Sequence, residues 1–231
     1  MNHWDEKYQE EHYIYGKEAN AYVKSIFKDT TDLPKKIVLF AEGEGRNAVY
    51  LAKLGYDVTT YDTSNVGIEK QRRLAAEQHV YVDALYGDIT EANVIPRDTF
   101  DYSMNIFGHV PSKGKQMMFH NLVNALVSGG HSYFEFYAKK QLQMGTGGPK
   151  DVDMLYDEAE VRAILAQLPV RIHFLVERKV IRHEGTKHKG AGIVIQGHIE
   201  RGWDIGFQFP SKTPQKSFEM IFVVFFHLNF T

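Results

Sequence analysis

Apolar residues recur along this chain with two periods, and the points where one period gives way to the other mark its elements. Lys36 to Ala41 is a short apolar run closed by Gly43 and Gly45, and a helical stretch follows from Arg46 to a stop at Gly55. Val58 to Tyr61 reads as a second strand ending in Asp62, with Ser64 or Asn65 placed to cap a helix that runs to the region of His79. Val80 to Tyr86 forms a third strand ending near Asp88, and Phe100 to Phe107 a fourth. Phe119, Leu122, Val123 and Leu126 stand at i, i+3, i+4 and i+7, one buried helical stripe. The Ser128-Gly129-Gly130 turn then leads into a fifth strand, Ser132 to Tyr137.

Residues 138 to 156, with Gly145, Gly147, Gly148 and Pro149, read as a long loop of the kind that carries function in a compact domain. Asp157 with Glu160 resembles a capping box, and Val161, Ile164, Leu165 and Leu168 repeat the helical stripe. Two strands close the pattern, Arg171 to Ile181 and Gly192 to Glu200, joined by a short polar segment from Arg182 to Ala191 that suits an antiparallel hairpin. The expected fold is a Rossmann-like three-layer α/β/α sandwich, its seven-stranded sheet mostly parallel with a terminal antiparallel hairpin. One domain is expected over residues 1–202, its first 35 residues a helical lid region. Residues 203–231 carry Pro210, Pro214 and a Phe-rich end, match none of the preceding periodicity, and are expected to form a peripheral tail.

Composition narrows the function classes. Among 231 residues, 27 Lys and Arg stand against 29 Asp and Glu, a net charge of −2 that supplies no drive toward nucleic acid or anionic lipid. The absence of cysteine excludes a disulfide scaffold, thiolate metal sites and cysteine nucleophiles, and fits a cytoplasmic protein. Met1 to Glu11 is charged and aromatic, unlike a signal peptide, and the longest apolar run, Met220 to Phe226, is too short to span a bilayer.

The glycine turn between the first strand and helix reads as a nucleotide-tail site, because backbone N–H groups at a helix start attract anions. Two registers compete. Gly43-x-Gly45-x-x-Ala48 fits a dinucleotide fingerprint, with Asp62 19 positions after Gly43. Ala41-x-Gly43-x-Gly45 fits the shorter turn of S-adenosylmethionine enzymes. In the second register Asp62 can accept from ribose hydroxyls, while Asp88 and the N–H of Ile89 meet adenine. Trp4, Tyr13 and Tyr15 suit either a lid over a cation or simple packing of an N-terminal helix. His109, after the fourth strand, and Arg182, His183, His188 and Lys189, between the last two, are the polar candidates on the same side of the sheet. His183 and His188 miss the H-E-x-x-H zinc spacing, so no metal is expected.

Several separated motifs then resemble one family. They are Trp4-Asp5-Glu6-Lys7-Tyr8, Tyr13-Ile14-Tyr15-Gly16, Ala41-Glu42-Gly43-Glu44-Gly45-Arg46-Asn47-Ala48 and Tyr61-Asp62. Phe107-Gly108-His109-Val110-Pro111, Gly145-Thr146-Gly147-Gly148-Pro149-Lys150 and Glu184-Gly185-Thr186 with His188 continue the series. Across residues 2 to 200 the chain resembles a class I S-adenosylmethionine-dependent methyltransferase of the tellurite-resistance and thiopurine-type group. The resemblance implies S-adenosylmethionine as cofactor, held by Tyr15, Ala41, Gly43, Gly45, Asp62, Asp88, Ile89 and Asn105, and catalytic roles for His188, Arg182 and His109. It implies a small methyl acceptor such as tellurite, a selenium species or a thiol, with neither nucleic acid nor membrane as partner. An NAD(P)-dependent oxidoreductase and a non-enzymatic cofactor-binding regulator are the alternatives. One departure stands out: Leu39 occupies the place where the first strand of this superfamily usually carries an acid, leaving Glu42 or Glu44 to hold the cofactor amine.

Overall fold

The computed structural model describes residues 3–28, 35–185 and 188–202, without the side chains of His183, His188 and Lys189. Two short helices, α1 (His3–Tyr8) and α2 (Ala21–Ile26), precede the alternating unit β1 (Lys36–Phe40), α3 (Arg46–Lys53), β2 (Asp57–Asp62), α4 (Asn65–Glu77) and β3 (Asp83–Tyr86). There follow β4 (Phe100–Ile106), α5 (Ser112–Asn124), β5 (Leu126–Tyr137), α6 (Glu158–Leu165), β6 (Val170–Glu184) and β7 (His188–Arg201). Seven strands form one sheet in the order β3-β2-β1-β4-β5-β7-β6, parallel up to β5 and antiparallel where β7 joins β5 and β6. This is the expected Rossmann-like sandwich.

Alternation along β1 explains the layers. Val38 and Phe40 point into a core shared with Phe119 and Leu122 of α5 and Val161 of α6. Ile37 and Leu39 point the other way, into a core shared with Val23 of α2, Val49 of α3 and Leu74 of α4. Leu39 is therefore a packing residue between sheet and helices.

Local signals are used as they read. Ser64 caps α4 by accepting from Gly67 N–H, and Asp157 caps α6 by accepting from Glu160 N–H at 2.7 Å. The long segment after β5 is organised as two 3-10 turns, Lys139–Gln143 and Val152–Met154. The buried Lys115 ammonium anchors its far end by donating to Leu155 O at 2.6 Å and Glu160 Oε1 at 2.9 Å over the Tyr156 ring.

Two expectations are corrected. The fifth strand begins at Leu126, ahead of the predicted Ser128-Gly130 turn, because a register shift between Phe100 and Tyr102 absorbs the glycines inside the ladder. The polar segment expected between the last strands is mostly strand itself, paired out to Glu184 and His188, so Arg182 lies in the ladder opposite Gly190. The expected boundary at residue 202 borders a tail that lies outside the described residues.

Gly45 starts α3 with φ +91°, and a Cβ there would come within 2.9 Å of Gln71 Cα. Gly145 also has positive φ, +66°, but faces open space. Gly45→Ala is expected to cost more than about 2 kcal/mol in urea unfolding and Gly145→Ala about 1 kcal/mol, the difference being the contact with α4. Equal losses would mean that backbone strain alone sets the cost.

Candidate functional site

The strand order reverses between β1 and β4, and at that point the loops leaving neighbouring strands diverge and open a crevice. A cavity of about 570 Å³ occupies it. Its walls come from the ends of five strands: Ala41 and Glu42 after β1, Asp62 and Thr63 at β2, Gly87 to Thr90 after β3, Ile106 to Pro111 at β4, and Tyr137 of β5. Trp4, Lys7, Tyr8 and Tyr15 close it from the N-terminal segment, and Gly147, Gly148 and Pro149 from the long loop.

Two buried carboxylates shape the turn beneath this cavity. Asp62 accepts from Gly43 N–H on one oxygen and from Ser64 N–H on the other, each at 2.8 Å. A carboxylate offers about four lone-pair positions, so capacity for ligand hydroxyls remains. Burial raises its pKa, opposed by the N–H groups of Ser64, Gly43 and Thr63. Glu42 Oε1 accepts from Asn47 N–H at 2.8 Å and Ala48 N–H at 2.9 Å, capping α3 with a side chain from the preceding turn. Burial holds the Glu42 carboxyl at about 7, the Ala48 N–H, the Asn47 amide and Arg46 pulling against it.

Glu42 and Glu44 part company here. Glu42 lines the cavity, whereas Glu44 is outside its walls in a buried pair with Lys70 at 2.6 Å. Of the two acids considered for the cofactor amine, only Glu42 meets the cavity.

Of the residues expected at the site, Ala41, Asp62, Asp88, Ile89, Tyr15 and His109 line this one cavity. Asp88 turns Oδ1 back onto the N–H and hydroxyl of Thr90, which fixes the carboxylate at the end of β3. Gly43 and Gly45 lie under the wall. A Cβ on Gly43 would stand 2.6 Å from the Tyr8 hydroxyl, so this glycine admits α1 onto the turn. Asn105 is fully buried, accepting from Gly108 N–H at 2.9 Å and donating to Gly108 O at 3.2 Å, and so braces the loop after β4 from behind the wall. Of the lid aromatics, Trp4 and Tyr15 line the cavity, while the Tyr13 hydroxyl donates to Lys70 O outside it.

His109 is fixed through both of its ring nitrogens. Nε2 accepts the N–H of Tyr137 at 2.9 Å, so Nδ1 carries the proton and donates to Phe107 O at 2.9 Å. The ring is held between two backbone groups and stacks on Tyr137, centroids 5.5 Å apart. Arg182 lies one layer behind the wall, its guanidinium 4.2 Å from the Tyr137 ring centroid and 5.0 Å from that of Phe107. It is buried, and its Nε and Nη1 have no hydrogen-bond partner. His188 is the first residue of β7, and its side chain lies outside the described residues.

Sequence reasoning passed over the fastening of the cavity's N-terminal side. Asp5 accepts from the Ser64 hydroxyl at 2.8 Å and from Val66 N–H, seating α1 on the start of α4. Arg46 pairs with Glu184 at 2.8 Å, both side chains about nine-tenths buried, and also donates to Tyr15 O. Gly185 presses its backbone against Ile14 to Gly16, where a Cβ would meet Tyr15 C at 2.5 Å. The glycines and charged residues were visible in the sequence, but their partners stand tens to more than a hundred positions away.

Residues 37–130 match a family described as a methyltransferase domain. A probable S-adenosyl-L-methionine-dependent methyltransferase, TehB, of Haemophilus influenzae (strain 10810) is 32% identical over 95 residues, 39% of this chain and 33% of that protein. Over this part of its length the chain is similar to S-adenosylmethionine-dependent methyltransferases. Its fold agrees with the crystal structure of TehB from Haemophilus influenzae at TM-score 0.61 and 17% identity, over 79% of this chain and 62% of that one. It agrees equally, at TM-score 0.61 and 14% identity, with a SAM-dependent methyltransferase from Methanosarcina mazei, over 81% of this chain and all of that one. The match spans about a third of the length of the curated relatives. Of the two readings of the glycine turn, the methyltransferase register is the one that accords with this match.

The cavity suits S-adenosylmethionine by its donor set: a buried carboxylate at the end of β2, a second carboxylate and a backbone N–H after β3, an acid beside the glycine turn, and aromatic faces opposite. No described helix is long and apolar enough to cross a membrane.

Glu42 makes the stability of the ligand-free domain depend on pH. Its folded pKa lies above the ordinary 4.5, at about 7, so the folded state binds the proton more tightly than the unfolded state. This contribution is present below the unfolded pKa and is lost as pH rises through about 7, on the order of 3 kcal/mol. Unfolding free energy, followed by urea titration, should therefore fall between pH 5 and about pH 8, and Glu42→Gln should flatten that limb. An unchanged slope in the variant would assign the dependence to other groups.

Proposed function

We propose that this domain transfers the methyl group of S-adenosylmethionine to a small-molecule nucleophile. The observation that carries the reading is the convergence of Asp62, Asp88, Ile89 and Glu42 on one cavity at the reversal of strand order in a methyltransferase domain. When bound, the cofactor supplies an activated methyl carbon on a sulfonium, so the protein has chiefly to position and enclose.

The residues divide that work. Asp62 accepts from the ribose hydroxyls with the lone pairs its backbone donors leave over. Asp88 and the Ile89 N–H meet the adenine edge, and Glu42 holds the amine that the superfamily's missing strand-one acid would otherwise take. Trp4 and Tyr15 present ring faces to the cationic centre and exclude water. His109 is a positioning residue, fixing Tyr137 N–H and Phe107 O and thereby the wall between cofactor and Arg182.

The acceptor is best read as an anionic or soft nucleophile, following the resemblance to the tellurite-resistance and thiopurine-type group. Arg182 supports this: a buried guanidinium with two nitrogens lacking a hydrogen-bond partner raises the positive potential behind the cavity wall. His188, at the same end of the hairpin, shares the proposed acceptor role.

Calorimetric titration with S-adenosylhomocysteine and turnover with labelled S-adenosylmethionine over tellurite, selenite and thiol acceptors test the reading. Asp62→Ala should weaken cofactor-product binding by roughly 1 to 3 kcal/mol. Arg182→Met should leave that binding within about twofold and lower kcat/KM for an anionic acceptor by about tenfold or more. A domain stabilised by NAD(P)H and indifferent to S-adenosylhomocysteine would refute the reading.

A further inference from the structure

A second constellation lies away from the cavity, on the antiparallel side of the sheet. His131 of β5, His173 of β6 and His198 of β7 bring one ring nitrogen each within 4.8 Å of one another. The His198 Nε2 and His131 Nδ1 atoms are 3.1 Å apart, and His173 Nε2 is 2.8 Å from Glu200 Oε2. His131 is six residues before Tyr137 on the same strand, about 20 Å from the cavity wall at the rise of an extended chain.

The ladder explains how three residues distant in sequence meet. His131 pairs with Glu200 and Tyr133 with His198 across β5 and β7, so His131, His198 and Glu200 share one face. On the other flank Ile172 pairs with Ile199 and Phe174 with His198, leaving His173 as an extra residue at the register shift. A bulge re-aims a side chain without altering the rest of its strand, and here it delivers the third imidazole to the same cluster.

We propose that His131, His173 and His198, with the Glu200 carboxylate orienting the His173 ring, bind a divalent transition-metal cation of the zinc class. Three imidazole nitrogens are a donor set Zn²⁺ takes in four-coordinate sites, with water in the fourth position, whereas Mg²⁺ and Ca²⁺ require oxygen ligands. Donors held at the usual Zn–N distance stand about 3.3 Å apart in a tetrahedron, close to the spacing already present between His131 and His198. Bringing the third nitrogen to the same spacing would break the 4.3 Å stack of His173 on His198. His173 is exposed and the other two partly so, giving a cation an open approach. A site there ties three strands together and leaves the methyl-transfer cavity untouched. It also departs from the sequence reading, which expected no metal because it considered only His183 and His188.

The test uses the full chain, stripped with EDTA and titrated with Zn²⁺ alone by calorimetry, with ring-nitrogen NMR to locate the cation. Expected are one Zn²⁺ bound through these imidazoles at about micromolar Kd or tighter, a higher Tm in its presence, and at least about tenfold weaker binding in His198→Ala and in the milder His173→Gln. S-adenosylhomocysteine binding checks that each variant is folded, and His173→Gln keeps the test decisive if His198→Ala is not. Absence of Zn²⁺ binding, binding that survives in every folded variant, or resonance shifts confined to other histidines would overturn the proposal and leave the cluster as a cross-strand aromatic stack.

Discussion

Everything around the cavity depends on how the turn from β1 into α3 is held. A chain leaving a buried strand must satisfy the open N–H groups of the helix it enters, and here it does so with acids that are themselves buried. Glu42 closes the start of α3 and Asp62 grips Gly43 N–H from the neighbouring strand. Both side chains thereby become rigid, and both still line the cavity. Scaffold and ligand site are the same atoms, and burial keeps both carboxyls above their ordinary pKa until a ligand with matching donors arrives.

The second constraint is closeness of approach. Tyr8 rests on Gly43, Gly108 sits where a side chain would strike Ala41, and Gly67 faces Gly43 O. Ala41 and Phe107, both leaving strands in the left-handed region at φ +50° and +60°, turn the chain sharply enough for these loops to meet. Over them the N-terminal segment is fastened by a few polar contacts: Asp5 on the start of α4, Lys7 on the Tyr15 hydroxyl, and Arg46 on Tyr15 O.

Much of this architecture was legible because it is local. Period-2 and period-3.6 runs marked strands and helices, Ser64 and Asp157 announced their caps, and aspartates at successive strand ends predicted the place of the site. What could not be read depends on register and on partners far along the chain. The Arg182-His183-Glu184 stretch looks like a polar loop but is strand, held by pairing with residues 188 to 190. His109 reads as a polar loop residue until Tyr137 N–H and Phe107 O are seen on its two nitrogens. Gly43 looks like a phosphate-cradle glycine, yet its missing side chain makes room for a tyrosine. Three histidines separated by 42 and 25 positions become neighbours only through a bulge.

The contact of Gly185 with Ile14 to Gly16 sets an order on the birth of the molecule. Synthesis delivers the N-terminal segment first and the hairpin that supports it some 170 residues later. A long loop must close before that contact repays its entropy, so the nascent chain can complete its parallel half-sheet on the ribosome while the floor of the cavity stays uncovered. The backing that Gly185 gives to Ile14 to Gly16 forms only once β6 and β7 have paired. The full support of the cavity's N-terminal wall is thereby reserved for chains whose translation has passed the final hairpin.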